Sequence, residues 1–161
     1  MKKNLLRLGR AITFLAAIGL LAFGAASIVT VADVIGRRIG LPIHGVIDLV
    51  QLFIMAGVWL IMPYAFYSGA HVGVDFIVEK MPGRVQTVVR ILGSLIAIVL
   101  LVLMAWYGYV TSQQRIMFGD TSQELGIPIV WFWVPLLAGM IGSIVAAILV
   151  MLGNTTPEVT Q

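Results

Sequence analysis

The sequence predicts an all-α integral membrane protein with four transmembrane helices, because apolar residues dominate it and gather into four long runs. Of its 161 residues, 60% are hydrophobic and 11% are charged, and the mean hydropathy is +1.05. A water-soluble domain carries about 25% charged residues, so this chain lacks the polar surface that would cover a globule in water. Most of the chain is therefore expected in a bilayer.

Four segments are long enough to cross a membrane, since a transmembrane helix needs about 20 mostly apolar residues. These segments are residues 11–32, 49–67, 91–110 and 127–152. They form one membrane domain over residues 1–153, followed by a short tail at 154–161. The first segment resembles a signal peptide, but its 22 uncharged residues exceed the usual apolar region of about 7–15 residues. We expect it to remain as an anchor.

The positions of Lys and Arg predict that both termini are cytoplasmic. Four basic residues lie in the first ten positions and three lie between the second and third spans, whereas only three border the opposite side. Cytoplasmic loops carry the excess of Lys and Arg, so the predicted topology is N-in/C-in. The same placement accounts for the net charge of +3 without a nucleic-acid partner. Interfacial aromatic rings on the predicted outer side support the span boundaries: Trp106, Tyr107, Tyr109, Trp131 and Trp133.

The connections between the spans carry local signals of their own. Apolar residues at helical spacing predict a short amphipathic helix at the cytoplasmic interface in the 72–82 region, ended by Pro82-Gly83. The outer connection 33–48 is rich in Gly and Pro and is expected to be turn-rich. In the other outer connection, Thr121 to Glu124 has capping-box spacing for a helix of one turn at most. Pro128 suits the first turn of the fourth span.

The predicted spans lack the groups that transport or catalysis would need. Every Asp, Glu, Lys and Arg lies at or outside a span edge, whereas solute pathways usually carry ionisable residues or broken helices within the membrane. The two histidines, His44 and His71, lie 27 residues apart, or about 40 Å along a helix, too far to hold one haem. With no cysteine, no metal cluster and no catalytic set, we expect neither an enzyme nor a cofactor in this chain.

Small residues recur every four positions and provide surface for close helix packing. In the fourth span these residues are Ala138, Gly142 and Ala146, and also Gly139, Ser143 and Ala147; in the first span they are Ala22, Ala26 and Thr30. Such spacing lets helices approach closely in lipid. Packing within the chain and packing on a partner are both compatible with it.

Three loop motifs resemble the small membrane subunit of tripartite ATP-independent periplasmic (TRAP) transporters. They are Asp33–Arg37 followed by Gly40–Pro42 and Asp48–Leu49, His71–Asp75 followed by Met81–Pro82, and Leu125–Pro128 followed by Pro135 and Gly139. Together they tie all four spans in order, so the resemblance covers about residues 10–150.

The resemblance implies a non-catalytic subunit that packs on a large, obligate membrane subunit and supports it. That large subunit would carry the solute and sodium sites, and a periplasmic binding protein would dock transiently on the outer face. The solute would be an organic acid such as a dicarboxylate, a keto acid or sialic acid. The chain would reside in the bacterial inner membrane.

The candidate partner-interface residues are those of the motifs and of the small-residue stripes: Asp33, Arg37, Asp48, His71, Asp75, Pro128, Pro135, Gly139 and Gly142. Asp33 with Arg37, and His71 with Asp75, are also spaced as ordinary i,i+4 pairs on a helix. Two other functions stay open. A self-assembling pore or exporter would need a polar stripe through a span, and the membrane anchor of a respiratory enzyme would need a bound catalytic subunit.

Overall fold

A computed structural model describes residues 2–68 and 83–152, and these residues form four helices. They are α1 (Lys2–Arg38), α2 (Val46–Tyr67), α3 (Gly83–Met117) and α4 (Val130–Leu152). Each contains a stretch long and apolar enough to cross a membrane, which confirms the four predicted spans. Helices α1 and α3 extend past the predicted spans because their polar ends continue the helix. The predicted interfacial helix at 72–82 and the tail at 154–161 lie outside the described residues, and the N-in/C-in orientation stays a prediction.

The helices do not pack in chain order. The substantial contacts are between α1 and α2, between α2 and α4, and between α4 and α3. Helices α2 and α4 are therefore the inner pair, and α1 and α3 flank them. We call the end with the connections 39–45 and 118–129 the loop end, and the opposite end the terminal end.

The contact between α2 and α4 depends on missing side chains. Pro63 has no N–H, so the carbonyl of Trp59, four residues earlier in α2, loses its helical donor. Gly139 of α4 lies against this carbonyl, and a Cβ at position 139 would overlap its oxygen. A Cβ at Gly142 would come within 2.8 Å of the Pro63 ring. The two backbones can approach closely only because these positions are glycines.

The terminal end holds the apolar core, to which all four helices contribute. Its buried members are Ile12 of α1, Phe66 of α2, Leu101 of α3, and Ala146 with Ala147 of α4. The alanines belong to the small-residue stripes, so the stripes serve packing within the chain from Gly139 to Ala147, whereas Ala138 is exposed. This core sets the relative positions of the helices, and the loop end sits above it.

Candidate partner interface and loop-end cleft

Two loop-end helices stop at a glycine in the same way. The amide of Leu41 donates to the carbonyl of Gly36 across the end of α1 (2.8 Å), and the amide of Asp120 donates to the carbonyl of Arg115 across the end of α3 (3.0 Å). Gly40 and Gly119 have φ of 78° and 70°, the left-handed conformation that this helix-ending motif requires. Each connection therefore leaves its helix in a fixed direction.

Asp33 fastens the first connection to α1. It is 5% exposed, and both of its carboxylate oxygens accept hydrogen bonds. Oδ2 accepts from Nε of Arg37 (2.7 Å) and Oδ1 from the amide of Ile43 (3.0 Å). The predicted i,i+4 pair is thus present, although the Arg37 side chain is 62% exposed and contributes little stability as an ion pair. The bond to Ile43 adds a constraint on the loop itself.

Asp48 joins the two loop-end connections to each other. This residue lies in the first turn of α2 and is 3% exposed. Its Oδ2 accepts from the amides of Glu124 (2.9 Å) and Leu125 (2.7 Å), more than seventy residues away in the chain. Hydrogen bonds to an ionised carboxylate are stronger than neutral ones, so Asp48 is the main polar link between the first and second halves of the chain.

The second connection is a tight hairpin-like turn. Thr121 and Pro128 form an isolated antiparallel bridge, the amide of Ser122 donates to the carbonyl of Ile127 (2.9 Å), and the amide of Ile127 donates to Oγ of Ser122 (2.9 Å). No helix forms at 121–124, which agrees with the expected limit of one turn, because Ser122 bonds forward to the other arm of the turn. Pro128 stands two residues before α4 begins, and its carbonyl accepts from the amide of Trp131 (3.1 Å).

An apolar contact supports the same link. Gly45, just before α2, lies against the side chain of Leu125, and a Cβ at position 45 would overlap it. Leu125 thus packs on the first connection with its side chain while its amide bonds Asp48. The two connections and the first turn of α2 form one unit, which we call the loop cap (residues 39–48 and 118–129).

The remaining sequence candidates fall in different places. Gly139 and Gly142 pack against α2 within the chain, and Pro135 is a half-buried residue inside α4. His71 and Asp75 lie outside the described residues. The structure therefore brings Asp33 and Asp48 together at the loop end, whereas the α4 candidates lie along the inner helix pair.

Two clefts open at or just below the loop cap. The α1–α2 groove has a volume of about 540 Å³ and an almost wholly apolar lining, in which Asp33, Thr30 and Gln51 are the polar members. The loop-end cleft, with about 470 Å³, lies between α2, α3, α4 and the turn at 121–123. Gln51 borders both and has no hydrogen-bond partner among the described residues.

The outer faces of α1 and α3 are large, apolar and uncovered within the chain. Within their most apolar 18-residue stretches, only 6% of α3 and 17% of α1 is buried. On α3 the exposed side chains point in nearly all directions except that of the buried Leu101, as shown by Val99, Leu100, Val102 and Leu103, each about half exposed. These faces contact lipid or a partner in the membrane.

The described residues include no group of three His, Asp or Glu side chains placed to hold a metal ion. The buried polar groups described are Asp33, Asp48, Ser112 and Ser143, and each bonds an atom of its own chain. This arrangement stabilises a loop cap and a helix pair.

Three residues that matter at the loop end were not among the sequence candidates for the partner interface. Ser122 and Leu125 take part in the loop cap, and Arg115 lies at the mouth of the loop-end cleft, 3.4 Å from Asp120. A Gly four residues after Arg115 was the one available signal, because it predicts a helix end that brings position 120 back over position 115.

These features define a multi-pass membrane protein whose described buried polar groups bond atoms of their own chain. Residues 26–156 match the DctQ component of the tripartite ATP-independent periplasmic transporters. The chain therefore belongs to this family, as the loop motifs indicated, and the family places it in a tripartite complex with a large membrane subunit and a binding protein. No curated protein and no solved structure matches the chain.

Proposed function

We propose that this chain is a non-catalytic scaffold that packs on the large membrane subunit of its transporter and holds that subunit in place during transport. The large subunit binds the solute and sodium and carries both across the membrane. This chain contributes a rigid helical frame and no part of the pathway.

The proposal rests on the hydrogen bonds that the two buried carboxylates accept within the chain. Asp33 and Asp48 are the buried acidic residues near span ends, and hydrogen bonds within the chain occupy both. An ion or solute pathway through lipid needs ionisable or exposed backbone groups that face a cavity. In the described spans the carboxylates instead hold loops, which suits a structural element.

The partner surface follows from what the chain leaves uncovered. Helices α2 and α4 pack closely against each other at the glycines of α4, whereas α1 and α3 present exposed apolar faces. In lipid, helices associate through close packing and hydrogen bonds rather than through hydrophobicity. We expect the large subunit to cover part of a flanking helix, and the α1–α2 groove with its unpaired Gln51 amide offers a hydrogen bond there.

The finer features of the proposal concern topology and cargo. The termini lie in the cytoplasm, the membrane is the bacterial inner membrane, and the loop cap faces the periplasm, where the exposed Arg37 can contact the binding protein. The cargo is an organic acid that moves with sodium. Because the chain has no native cysteine, single-cysteine variants at Phe118, which is 81% exposed, and at Gln161 test the topology: an impermeant thiol reagent should label intact cells at 118 only.

Affinity purification from membranes that express the whole transporter tests the assembly. The tagged chain should bring down one large membrane protein in constant ratio in mild detergent. Isolation of the chain as a homo-oligomer that conducts ions in planar bilayers would overturn the proposal in favour of a self-assembling pore.

A further inference from the structure

The loop-end cleft combines a polar mouth with an apolar floor. Its polar lining comes from α2, α3 and the turn: Gln51, Thr111, Arg115, Thr121, Ser122 and Gln123. The floor consists of Phe132 and Leu136, both buried, with Trp133 and Met55 beside them. A molecule that fits it has a polar head and an apolar tail.

The mouth lies at the level of lipid headgroups. Trp131 opens α4 beside the mouth and is 60% exposed, and exposed Trp and Tyr rings concentrate at the membrane–water interface. Three further exposed rings on α3 lie level with the floor, because Gly108 among them packs beside Trp133 and Leu136. From Val130, where α4 begins, to Leu136 the floor descends about 9 Å at 1.5 Å per residue. The cleft thus spans the interfacial layer, with its floor at the hydrocarbon boundary.

The charges at the mouth favour a zwitterion over a simple anion. Arg115 has one long bond to Asp120, of 3.4 Å, and the two side chains are 53% and 39% exposed. A guanidinium has five N–H donors, so most of its capacity is unused. Asp120 does not line the cleft itself, but the helix-ending turn holds its negative charge beside Arg115, at the edge of the mouth. Asp48 also borders the cleft, but two backbone amides already occupy its Oδ2.

The size of the cleft argues against a helix of a partner as its occupant. A bare α-helix about 10 Å wide fills about 420 Å³ per turn, so a cleft of about 470 Å³ holds about one turn. That volume does lie within the range of pockets that bind small molecules, about 300–1,000 Å³. A single lipid headgroup with the upper part of one acyl chain matches both the size and the depth.

We propose that the loop-end cleft binds one zwitterionic phospholipid of the phosphatidylethanolamine type. Arg115 donates to the lipid phosphate, and Asp120 accepts from its ammonium group. The first segment of one acyl chain covers Phe132 and Leu136. Gln51 borders this cleft as well as the α1–α2 groove, and one of its two amide hydrogens donates to the ester region. The bound lipid fills the gap between α2 and α3, two helices that touch each other little.

Native mass spectrometry of the full chain in detergent, with equal amounts of phosphatidylethanolamine and phosphatidylglycerol, tests this site. The wild-type chain should retain one phosphatidylethanolamine in preference to phosphatidylglycerol. Arg115→Gln should weaken the binding of both lipids, phosphatidylethanolamine by about tenfold, since hydrogen bonds to charged groups are the strong ones. Asp120→Asn should weaken phosphatidylethanolamine alone and remove the preference.

Arg38→Gln is the matched control, because Arg38 is an exposed arginine at the same end of the chain, outside the cleft lining. It should bind lipid as the wild type does. Thr111→Trp fills the mouth without a change in charge and should abolish retention, which provides a second test should Arg115→Gln unfold. Equal retention by Arg115→Gln and Arg38→Gln, or no preference in the wild type, would overturn the proposal. So would a crosslink from position 111 to the large subunit. The measurement uses this chain alone, so it stands apart from the outcome of the scaffold test.

Discussion

The most apolar stretches of helices α3 and α4 have the same hydropathy and different surroundings. The most apolar 18 residues of each helix average 2.4, yet 6% of the stretch in α3 is buried and 28% of the stretch in α4. The two helices differ in what their small residues contact. Helix α4 carries Gly139, Gly142 and Ser143 on the side that faces α2, whereas Gly93 of α3 has open space around it.

The comparison shows that hydrophobicity decides whether a helix enters the membrane, and shape decides what the helix touches there. Lipid tails are as apolar as leucine, so no hydrophobic force draws α3 against its neighbours. Close packing and polar links do, and α2 and α4 have both. Helix α3 is consequently left with most of its surface for lipid and, on the proposed function, for a partner.

A glycine-to-leucine exchange at one position in each helix should give the largest difference in stability between changes in α4 and in α3. Gly139→Leu places a side chain against the carbonyl of Trp59 and should lower the free energy of unfolding by about 3 kcal/mol, at the upper end for overpacking. Gly93→Leu meets open space and should change it by less than about 0.5 kcal/mol. Thermal unfolding in detergent, followed by circular dichroism, measures both. Equal losses would mean that the close α2–α4 contact does not hold the fold.

Two adjacent leucines distinguish the buried face of α3 from its exposed face. Leu101 is 4% exposed and belongs to the apolar core, whereas Leu100 is 54% exposed. Leu101→Ala should cost about 2 kcal/mol, the low end for a buried leucine, and Leu100→Ala should cost less than about 0.5 kcal/mol. The same unfolding assay applies. A greater loss of stability from Leu100→Ala than from Leu101→Ala would mean that the buried face of α3 has been assigned to the wrong side of the helix.

Asp48→Asn tests the polar link between the loop-end connections. The variant keeps an acceptor oxygen and loses the charge, so the amides of Glu124 and Leu125 should exchange their hydrogens about tenfold faster. Asp120→Asn, whose carboxylate is outside this link, should leave those two amides unchanged. Amide exchange measured by NMR in micelles gives both rates. Unchanged protection in Asp48→Asn would show that Gly45 and Leu125 alone hold the loop cap.

The smallest expected effect is at the first connection. Arg37→Gln removes an ion pair that is more than half exposed on the arginine side, so it should cost about 0.5 kcal/mol or less. If Arg37 instead contacts the binding protein, the same variant should weaken binding-protein-dependent uptake without a change in unfolding. A loss of stability comparable to that of Leu101→Ala would make Arg37 a structural residue.

The sequence predicted the four spans because the length and apolar content of a transmembrane helix follow directly from the thickness of the bilayer. It also predicted the i,i+4 pair of Asp33 and Arg37, which is a local feature. It could not predict that Asp48 bonds the amides of Glu124 and Leu125, since a first-turn carboxylate equally fits a free helix N-terminus. The forward bonds of Ser122 were missed for a similar reason, because the capping-box spacing also fits a turn.

The partner of the small-residue stripes could not be predicted from the sequence. The four-residue spacing of the stripes in α4 indicates that a helix can approach, without saying which helix does so. At Gly139 and Gly142 the structure assigns that contact to α2, through Trp59 and Pro63. The low burial of α3 could not be inferred either, because the most apolar stretches of α3 and α4 have the same mean hydropathy.

Solute uptake into proteoliposomes tests directly whether this chain carries any solute itself. Three preparations contain this chain alone, the large subunit alone, or both. Each receives the binding protein, labelled solute and an inward sodium gradient. We expect no uptake by this chain alone and full uptake only when both membrane subunits are present. Sodium-dependent uptake by this chain without the large subunit would contradict it.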